Sequence, residues 1–298
     1  MNKINPLDLN AEVELITTFK VDKIIQAYKR IGIDVVPYLK NLESINLFKC
    51  KNTSYRFYYP FSSIGDANFY KTLSLTRKNY YSKRWEHRKA IKILSSGEKV
   101  LEIGCGFGVF LDMMKSKKIS AEGIELNPIA INDCYEKGLV VHNDLIEKFA
   151  VKNHDKFDVV CFFQVLEHIV NVHDFIKSSL EVLKPNGKLI IGVPNNNPYL
   201  FINDKYHALN MPPHHAGLWN KESLKSLQKL FKIKLLNVYY EPLEETYCYF
   251  IANYIKNANI LCSLCLKALN KIVPKILKKL LCRFIKGRNI LIEFTKIV

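Results

Sequence analysis

Glu102 stands just ahead of glycines at 104, 106 and 108, and the run Lys99-Val100-Leu101-Glu102-Ile103 that leads into them is short and apolar. Such a run predicts a buried parallel strand that breaks into a tight loop, with a helix opening near Val109. Glycine suits that loop because the backbone must turn sharply and admit a ligand to van der Waals contact. The spacing excludes the G-x-G-x-x-G pattern of nicotinamide dinucleotide sites, since Val109 occupies the third glycine's place. The acid points the same way. At the strand's end Glu102 repels a pyrophosphate and welcomes an ammonium, so the loop expects a ligand that is cationic there.

Three further groups share this half of the chain. Ser120 to Leu126 reads as a second strand, and Glu125 near its tip, about 20 residues past the first glycine, can accept hydrogen bonds from both hydroxyls of a ribose. Leu139 to His142 reads as a third strand, followed by Asn143-Asp144-Leu145. Phe157 to Gln164 reads as a fourth, and Val165-Leu166-Glu167-His168-Ile169 follows it directly. In an open α/β sheet the first and fourth strands flank the topological switch point, where ligands bind.

Val100 to Gly108 resembles motif I of the class I S-adenosylmethionine-dependent methyltransferases, and the motifs that follow in register extend the resemblance from about Arg88 to Glu241. It implies a Rossmann-like α/β fold, a seven-stranded mostly parallel sheet with helices on both faces, and S-adenosylmethionine as cofactor. The cofactor contacts it implies are Tyr81, Glu102, Gly104, Cys105, Gly106, Glu125, Leu126, Asp144, Leu145 and Gln164. In that family Asp144 matches the position that binds the adenine amino group, while the neighbouring backbone amide meets a ring nitrogen. Gln164 to Ile169 resembles the motif after strand four in small-molecule O-methyltransferases, including those of ubiquinone biosynthesis. There an acid at the first position joins the later Glu and His around a divalent metal. Here Gln164 stands in that place, a poor ligand for a hard cation, and no metal is assigned.

Methyl transfer to oxygen needs a group that takes the hydroxyl proton. A neutral imidazole can do so near pH 7, an effect worth roughly 10²–10⁴-fold. The candidates are His168 and the pair His214 and His215, in Asn210-Met211-Pro212-Pro213-His214-His215. That pair lies within residues 201–218, a connection long enough to be functional. Asn197-Pro198-Tyr199 follows strand five rather than strand four and is set aside as a nucleic-acid methyltransferase motif. Tyr81 and Trp85 are candidates for a lid over the site, and His87 reads as a surface residue.

Several elements must position these groups. Val21 to Lys40 has helical apolar spacing, and Ile45–Cys50 with Tyr55–Tyr59 reads as a β-hairpin. Residues 1–85 are therefore expected to form an N-terminal cap, whose run from Cys50 to Pro60 resembles the leader of methyltransferases found with bacterial surface-glycan biosynthesis. A helix is expected from Asn79 to about Leu94. Asn127 and Pro128 predict a helix start, and Leu183 to Asn195 predicts a Pro-Asn-Gly turn and strand five. Lys232–Glu241 and Asn289–Phe294 read as strands six and seven, the last antiparallel, closing a catalytic domain of residues 86–241 and 289–298 around a helical insertion at 242–288.

Charge sets the remaining expectations. The net charge of +16 calls for an acidic partner, and from Thr246 to Arg288 there is no Asp or Glu. Apolar residues at helical spacing between Ile272 and Ile285, with lysines and arginines between them, predict a basic amphipathic helix. Met1 to Asn10 has no apolar export signal, and the eight cysteines lack framework spacing, so reduced thiols in a cytoplasmic setting are expected. Cys262 and Cys265 read as core cysteines. The basic helix offers peripheral contact with an anionic inner membrane face. The expected activity is O-methylation of a small molecule such as a sugar in glycan assembly. A lipid, quinone or RNA acceptor, or a non-catalytic membrane-associated assembly protein, are the alternatives; no RNA-binding module is recognisable.

Overall fold

The computed structural model describes residues 5–76, 82–196 and 205–298; Tyr81 and the Asn197-Pro198-Tyr199 run lie outside them. In chain order the elements begin with β1 (Val13–Lys20), α1 (Val21–Lys29), α2 (Val36–Leu39), β2 (Ser44–Cys50), β3 (Arg56–Tyr59) and α3 (Ala67–Thr76). Then come α4 (Trp85–Ala90), β4 (Lys99–Ile103), α5 (Val109–Ser116), β5 (Ser120–Ile124), α6 (Pro128–Glu136), β6 (Val141–His142) and α7 (Ile146–Ala150). The rest are β7 (Phe157–Phe163), α8 (Val172–Glu181), β8 (Leu183–Pro194), β9 (Gly217–Leu218), α9 (Lys221–Lys225), β10 (Ile233–Pro242), α10 (Leu243–Asn257), α11 (Ile260–Ile272), α12 (Pro274–Phe284) and β11 (Lys286–Lys296).

Seven strands form one sheet in the order β10-β11-β8-β7-β4-β5-β6. The pairs from β8 to β6 are parallel, and β11 inserts antiparallel between β8 and β10. Successive residues of a strand point to opposite faces. Accordingly Val100, Val159 and Cys161 join one apolar cluster, whereas Leu101, Val160 and Phe162 join another. Burial on both faces explains why these strands read as unbroken apolar runs. The chain moves outward from β4 through β5 to β6, then returns to β7 on β4's other side, which leaves a crevice at the carboxyl ends of β4 and β7.

A second, four-stranded sheet has the order β1-β2-β3-β9. Its first three strands come from the N-terminal region, but β9 comes from the segment that carries His214 and His215. The helix expected over Val21–Lys40 is broken, because the chain turns at Gly32 (φ 75°) and re-enters helix only at Val36. The expected Pro-Asn-Gly turn becomes a bulge within one long strand, since the ladder with β7 jumps from Phe157↔Leu183 to Val159↔Lys188. His87 is buried, contrary to the surface reading, and its ring stacks on Phe110 at 5.4 Å. Trp85 packs against the same apolar cluster. Cys265 is exposed and Cys262 only half-buried, so neither belongs to a core, because α11 buries none of its residues.

One ionic cluster ties β4, β5, β6 and the approach to β7 together. Glu122 on β5 meets Lys99 Nζ at 2.8 Å, His142 Nε2 at 2.8 Å and Lys156 Nζ at 3.1 Å. Burial pushes its carboxyl up, but the bonds from Lys99, His142 and Lys156 outweigh that and hold it at about 2, below its ordinary 4.5. A depressed carboxyl stabilises the fold fully above its unfolded pKa and ceases to do so as pH falls through the folded one. Glu122→Gln is therefore expected to cost about 1–2 kcal/mol at pH 7, with the gap from wild type closing between pH 4.5 and 2 in urea melts.

Candidate active site

The loop after β4 runs through three left-handed glycines, Gly104 (φ 73°), Gly106 (φ 54°) and Gly108 (φ 71°). At Gly104 a Cβ would also lie 2.5 Å from Val165 Cγ2, so the loop's turn and its packing against the segment after β7 both require glycine. Ile124 O accepts the Gly104 and Cys105 N–H groups at 2.8 and 3.1 Å. Glu125 secures the rest. Its Oε2 accepts the Gly106 N–H at 2.8 Å, and its Oε1 accepts those of Leu126 and Asn127 at 2.8 and 2.9 Å. Asn127 then caps α6 through Ile129 N–H at 3.0 Å.

The acids expected to meet a cofactor stand at successive strand ends. Glu102 is buried at the end of β4, its Oε2 without a hydrogen-bond partner among the described residues, and burial pushes its carboxyl well above the usual range. A cation at that oxygen would supply the missing partner and favour the ionised form. Asp144 follows β6 and accepts the Leu145 N–H at 2.9 Å. Leu126 and Leu145 leave exposed apolar surface beside these acids. An orphaned buried carboxylate, a second carboxylate at a strand tip and a glycine loop fit a ligand with an ammonium, a ribose and an aromatic ring. Gln164 adopts a left-handed conformation (φ 57°), and its Nε2 donates to Glu86 Oε1 at 2.7 Å, so its side chain links the end of β7 to α4.

Beyond Gln164 the single turn Leu166–His168 brings Glu167 and His168 to the crevice, and the segment before β9 brings His214 and His215 to meet them. Ring centroids are 4.6 Å apart for His168 and His214, 5.0 Å for His168 and His215, and 4.6 Å for His214 and His215. His168 Nδ1 donates to His214 O at 2.6 Å and His214 Nδ1 to Leu209 O at 2.9 Å; a carbonyl can only accept, so both rings carry the proton on Nδ1. His215 Nδ1 lies 3.2 Å from Asn210 Oδ1. Burial drives His168 down to about 4 and His215 well below its ordinary value, so both are neutral at pH 7. Three ring nitrogens within 4.8 Å of one another could ligate a metal. The planes of His214 and His215 are only 22° apart, however, so their in-plane lone pairs converge poorly on one ion.

Residues of the N-terminal helices α1 and α3 and of strand β3 hold this cluster together. Tyr28 Oη donates to Met211 O at 2.7 Å, Tyr58 Oη to Asn210 O at 3.0 Å and Tyr70 Oη to His214 O at 2.9 Å. Ala216 N–H donates to Glu167 O at 2.8 Å while Ala216 O accepts the Tyr58 N–H at 2.9 Å. Trp219, fully buried, stacks near Tyr55 with centroids 4.2 Å apart.

Sequence reasoning gave no catalytic role to three buried carboxylates, of which Glu167 lies beside the imidazoles. Glu167 is buried, neither of its oxygens has a hydrogen-bond partner among the described residues, and Oε1 lies 3.8 Å from His168 Nε2. Burial pushes it to about 8. Glu86 is equally buried and Glu241 is pushed to about 7 by burial and by Glu86. The signal for Glu167 was its place directly after the fourth strand; nothing local marks the other two.

A model of the family described as methyltransferase domain matches residues 77–252. The ubiquinone biosynthesis O-methyltransferase of Pseudomonas aeruginosa PAO1 is 28% identical over 173 residues, which is 51% of this chain and 72% of that protein. The protein of the same name from Glaesserella parasuis serovar 5 is 31% identical over 111 residues, 33% of this chain and 46% of its own. Among solved structures, a SAM-dependent methyltransferase from Archaeoglobus fulgidus superposes with a TM-score of 0.53 at 19% identity, over 76% of this chain and all of its own. One from Mesorhizobium loti gives 0.50 at 13%, over 72% of this chain and all of its own. The sheet order and the family match over more than half of the residues agree, and the chain belongs to the class I S-adenosylmethionine-dependent methyltransferases.

Proposed function

We infer that the chain O-methylates a hydroxyl of a small molecule, such as a sugar in surface-glycan assembly. The observation that carries this reading is the buried imidazole cluster of His168, His214 and His215, with the unpartnered Glu167 carboxyl beside it, at the strand ends next to the glycine loop. Relatives named O-methyltransferases support oxygen as the acceptor atom. The sugar rests on the resemblance of residues 1–85 to the leaders of glycan methyltransferases. We take 1–85 as a cap over the acceptor side, 86–241 with 289–298 as the catalytic domain, and 242–288 as an insertion.

Bound S-adenosylmethionine supplies an electrophilic methyl group on a sulfonium. In this reading Glu102 pairs with the cofactor's ammonium, Glu125 with the ribose hydroxyls, and Asp144 with the Leu145 amide reads the adenine edge. Gly104, Cys105, Gly106, Leu126 and Gln164 complete the cradle. Holding the two reactants in line contributes roughly 7–11 kcal/mol in well-oriented systems. As the acceptor oxygen bonds the methyl carbon, the carbon–sulfur pair stays on sulfur and the hydroxyl proton passes to the imidazole cluster. His168 is its member with a carboxyl alongside, so an ionised Glu167 stabilises the imidazolium that forms.

Turnover tests this directly. With methyl-labelled S-adenosylmethionine and a panel of sugar nucleotides, lipid-linked sugars and hydroxyquinones, one class is expected to take label as S-adenosylhomocysteine accumulates. Tight cofactor binding with no labelled product from any class would favour the assembly-protein reading instead.

A further inference from the structure

The helices α11 and α12 leave in water what helices ordinarily bury. α11, Ile-Leu-Cys-Ser-Leu-Cys-Leu-Lys-Ala-Leu-Asn-Lys-Ile, has no buried residue at all. Ile260, Leu261 and Leu264 on α11, with Ile276, Leu280 and Phe284 on α12, are between 55% and 81% exposed. On α12 the last three recur every fourth residue and so form one stripe along the helix. Lys275, Lys279 and Arg283 precede them by one position each and form the stripe next to it. Leu277 is buried against Leu243, Tyr247, Phe250 and Ile251 of α10, with Leu281 and Cys282 partly buried on the same cluster, so the helix docks on the rest of the chain by a different edge. A groove of about 500 Å³ between α10 and α11, lined by Ile255, Ile260 and Leu264 with Lys256 and Lys267, continues the same mixed surface.

We propose that this face of α11 and α12 docks on an anionic phospholipid bilayer, lying in its interfacial plane. Charge selects the occupant. From Thr246 to Arg288 nine lysines and arginines face no acid of their own segment, so anionic headgroups complement the basic stripe while the exposed side chains enter the acyl boundary. A second copy of the same face would set like charges opposite one another. A nucleic acid would leave the aliphatic stripe in water. No described helix is long and apolar enough to cross a membrane, and α11, at 13 residues, reaches about 20 Å against the ~30 Å of a hydrocarbon core. The unit is tied to the catalytic side: Arg88 pairs with Glu245 at 2.6 Å, and His207, in the segment leading to His214, lies 2.6 Å from Tyr249 Oη. Docking through α11 and α12 therefore sets the acceptor segment at a fixed station relative to the lipid surface. The proposal is independent of which hydroxyl is methylated.

Flotation of the full chain with vesicles of phosphatidylcholine, alone or mixed with phosphatidylglycerol, tests it. At about 50 mM salt, where screening is weak, the chain is expected to float with the mixed vesicles and not with phosphatidylcholine alone. Replacing Lys275, Lys279 and Arg283 together by Glu should lower partitioning by about 100-fold or more. Replacing Ile276, Leu280 and Phe284 together by Ser should remove flotation as well. S-adenosylhomocysteine affinity, measured on the same preparations, should stay within about threefold of wild type and shows that each variant has folded. Wild type that stays in solution with anionic vesicles overturns the proposal, as does a charge-reversed variant that floats like wild type. So does a dimer in solution that the serine variant dissolves while flotation is unaffected, which would make the face a contact between copies.

Discussion

Glu125→Ala is expected to weaken S-adenosylhomocysteine binding by about 100-fold or more, the largest effect of any single substitution in the cofactor half. Two losses combine. The carboxylate accepts three backbone N–H groups, those of Gly106, Leu126 and Asn127, and so sets both the glycine loop and the entry to α6. Hydrogen bonds to a charged group contribute about 1.5–3 kcal/mol each, and alanine leaves all three donors to water. In the proposed reading the same carboxylate also receives the ribose hydroxyls, so loop and ligand lose one anchor together. Glu125→Gln keeps an acceptor oxygen and should fall between the two. Isothermal titration of S-adenosylhomocysteine into the three proteins checks this, with circular dichroism to confirm that each is folded. Binding by the alanine variant within threefold of wild type would mean that the cofactor lies elsewhere than at the tip of β5.

What could be foreseen about this chain divides by the range of the cause. The glycine loop was legible because its three left-handed residues, the apolar strand before it and the acids at the strand tips are all local to a few residues each. The antiparallel insertion of β11 was legible only through the family resemblance, since 47 residues separate the paired Glu241 and Arg288 that meet through a carboxylate and a backbone N–H at 3.1 Å. β1 was missed: Val13 to Lys20 presents little inward apolar surface, with only Phe19 fully buried, so alternation does not mark it. His87 was misread because its neighbours Arg84, Arg88 and Lys89 are charged, while the rings that bury it, Phe110 and Phe163, come from elements far along the chain. His168, His214 and His215 were each visible as candidate bases. Their convergence was not, because it depends on a strand borrowed by the N-terminal sheet and on hydroxyls of Tyr28, Tyr58 and Tyr70, none of which carries a local signature.

The proton's destination can be read from a pH profile. If the imidazolium that forms on His168 is stabilised by the ionised Glu167, methyl transfer at saturating substrates should climb about tenfold per pH unit below about 8 and level off above it. The sign follows from the group's state: with its carboxyl pushed to about 8 by burial, only about one tenth of Glu167 is ionised at pH 7. His168 cannot impose that slope, because burial holds it near 4 and it is already neutral throughout the range. Glu167→Gln should therefore flatten the profile and lower kcat, and His168→Ala should lower kcat by about 10²–10⁴-fold. Both should leave S-adenosylhomocysteine affinity nearly intact, since neither residue belongs to the cofactor strand ends. A wild-type rate that is flat from pH 6 to 9, together with a glutamine variant within a few-fold of wild type, would remove Glu167 from the reaction. The proton would then pass to the imidazole cluster unaided, and the buried carboxyl 3.8 Å from His168 would be left with the backbone of Ala216 as its segment's main tie to the loop.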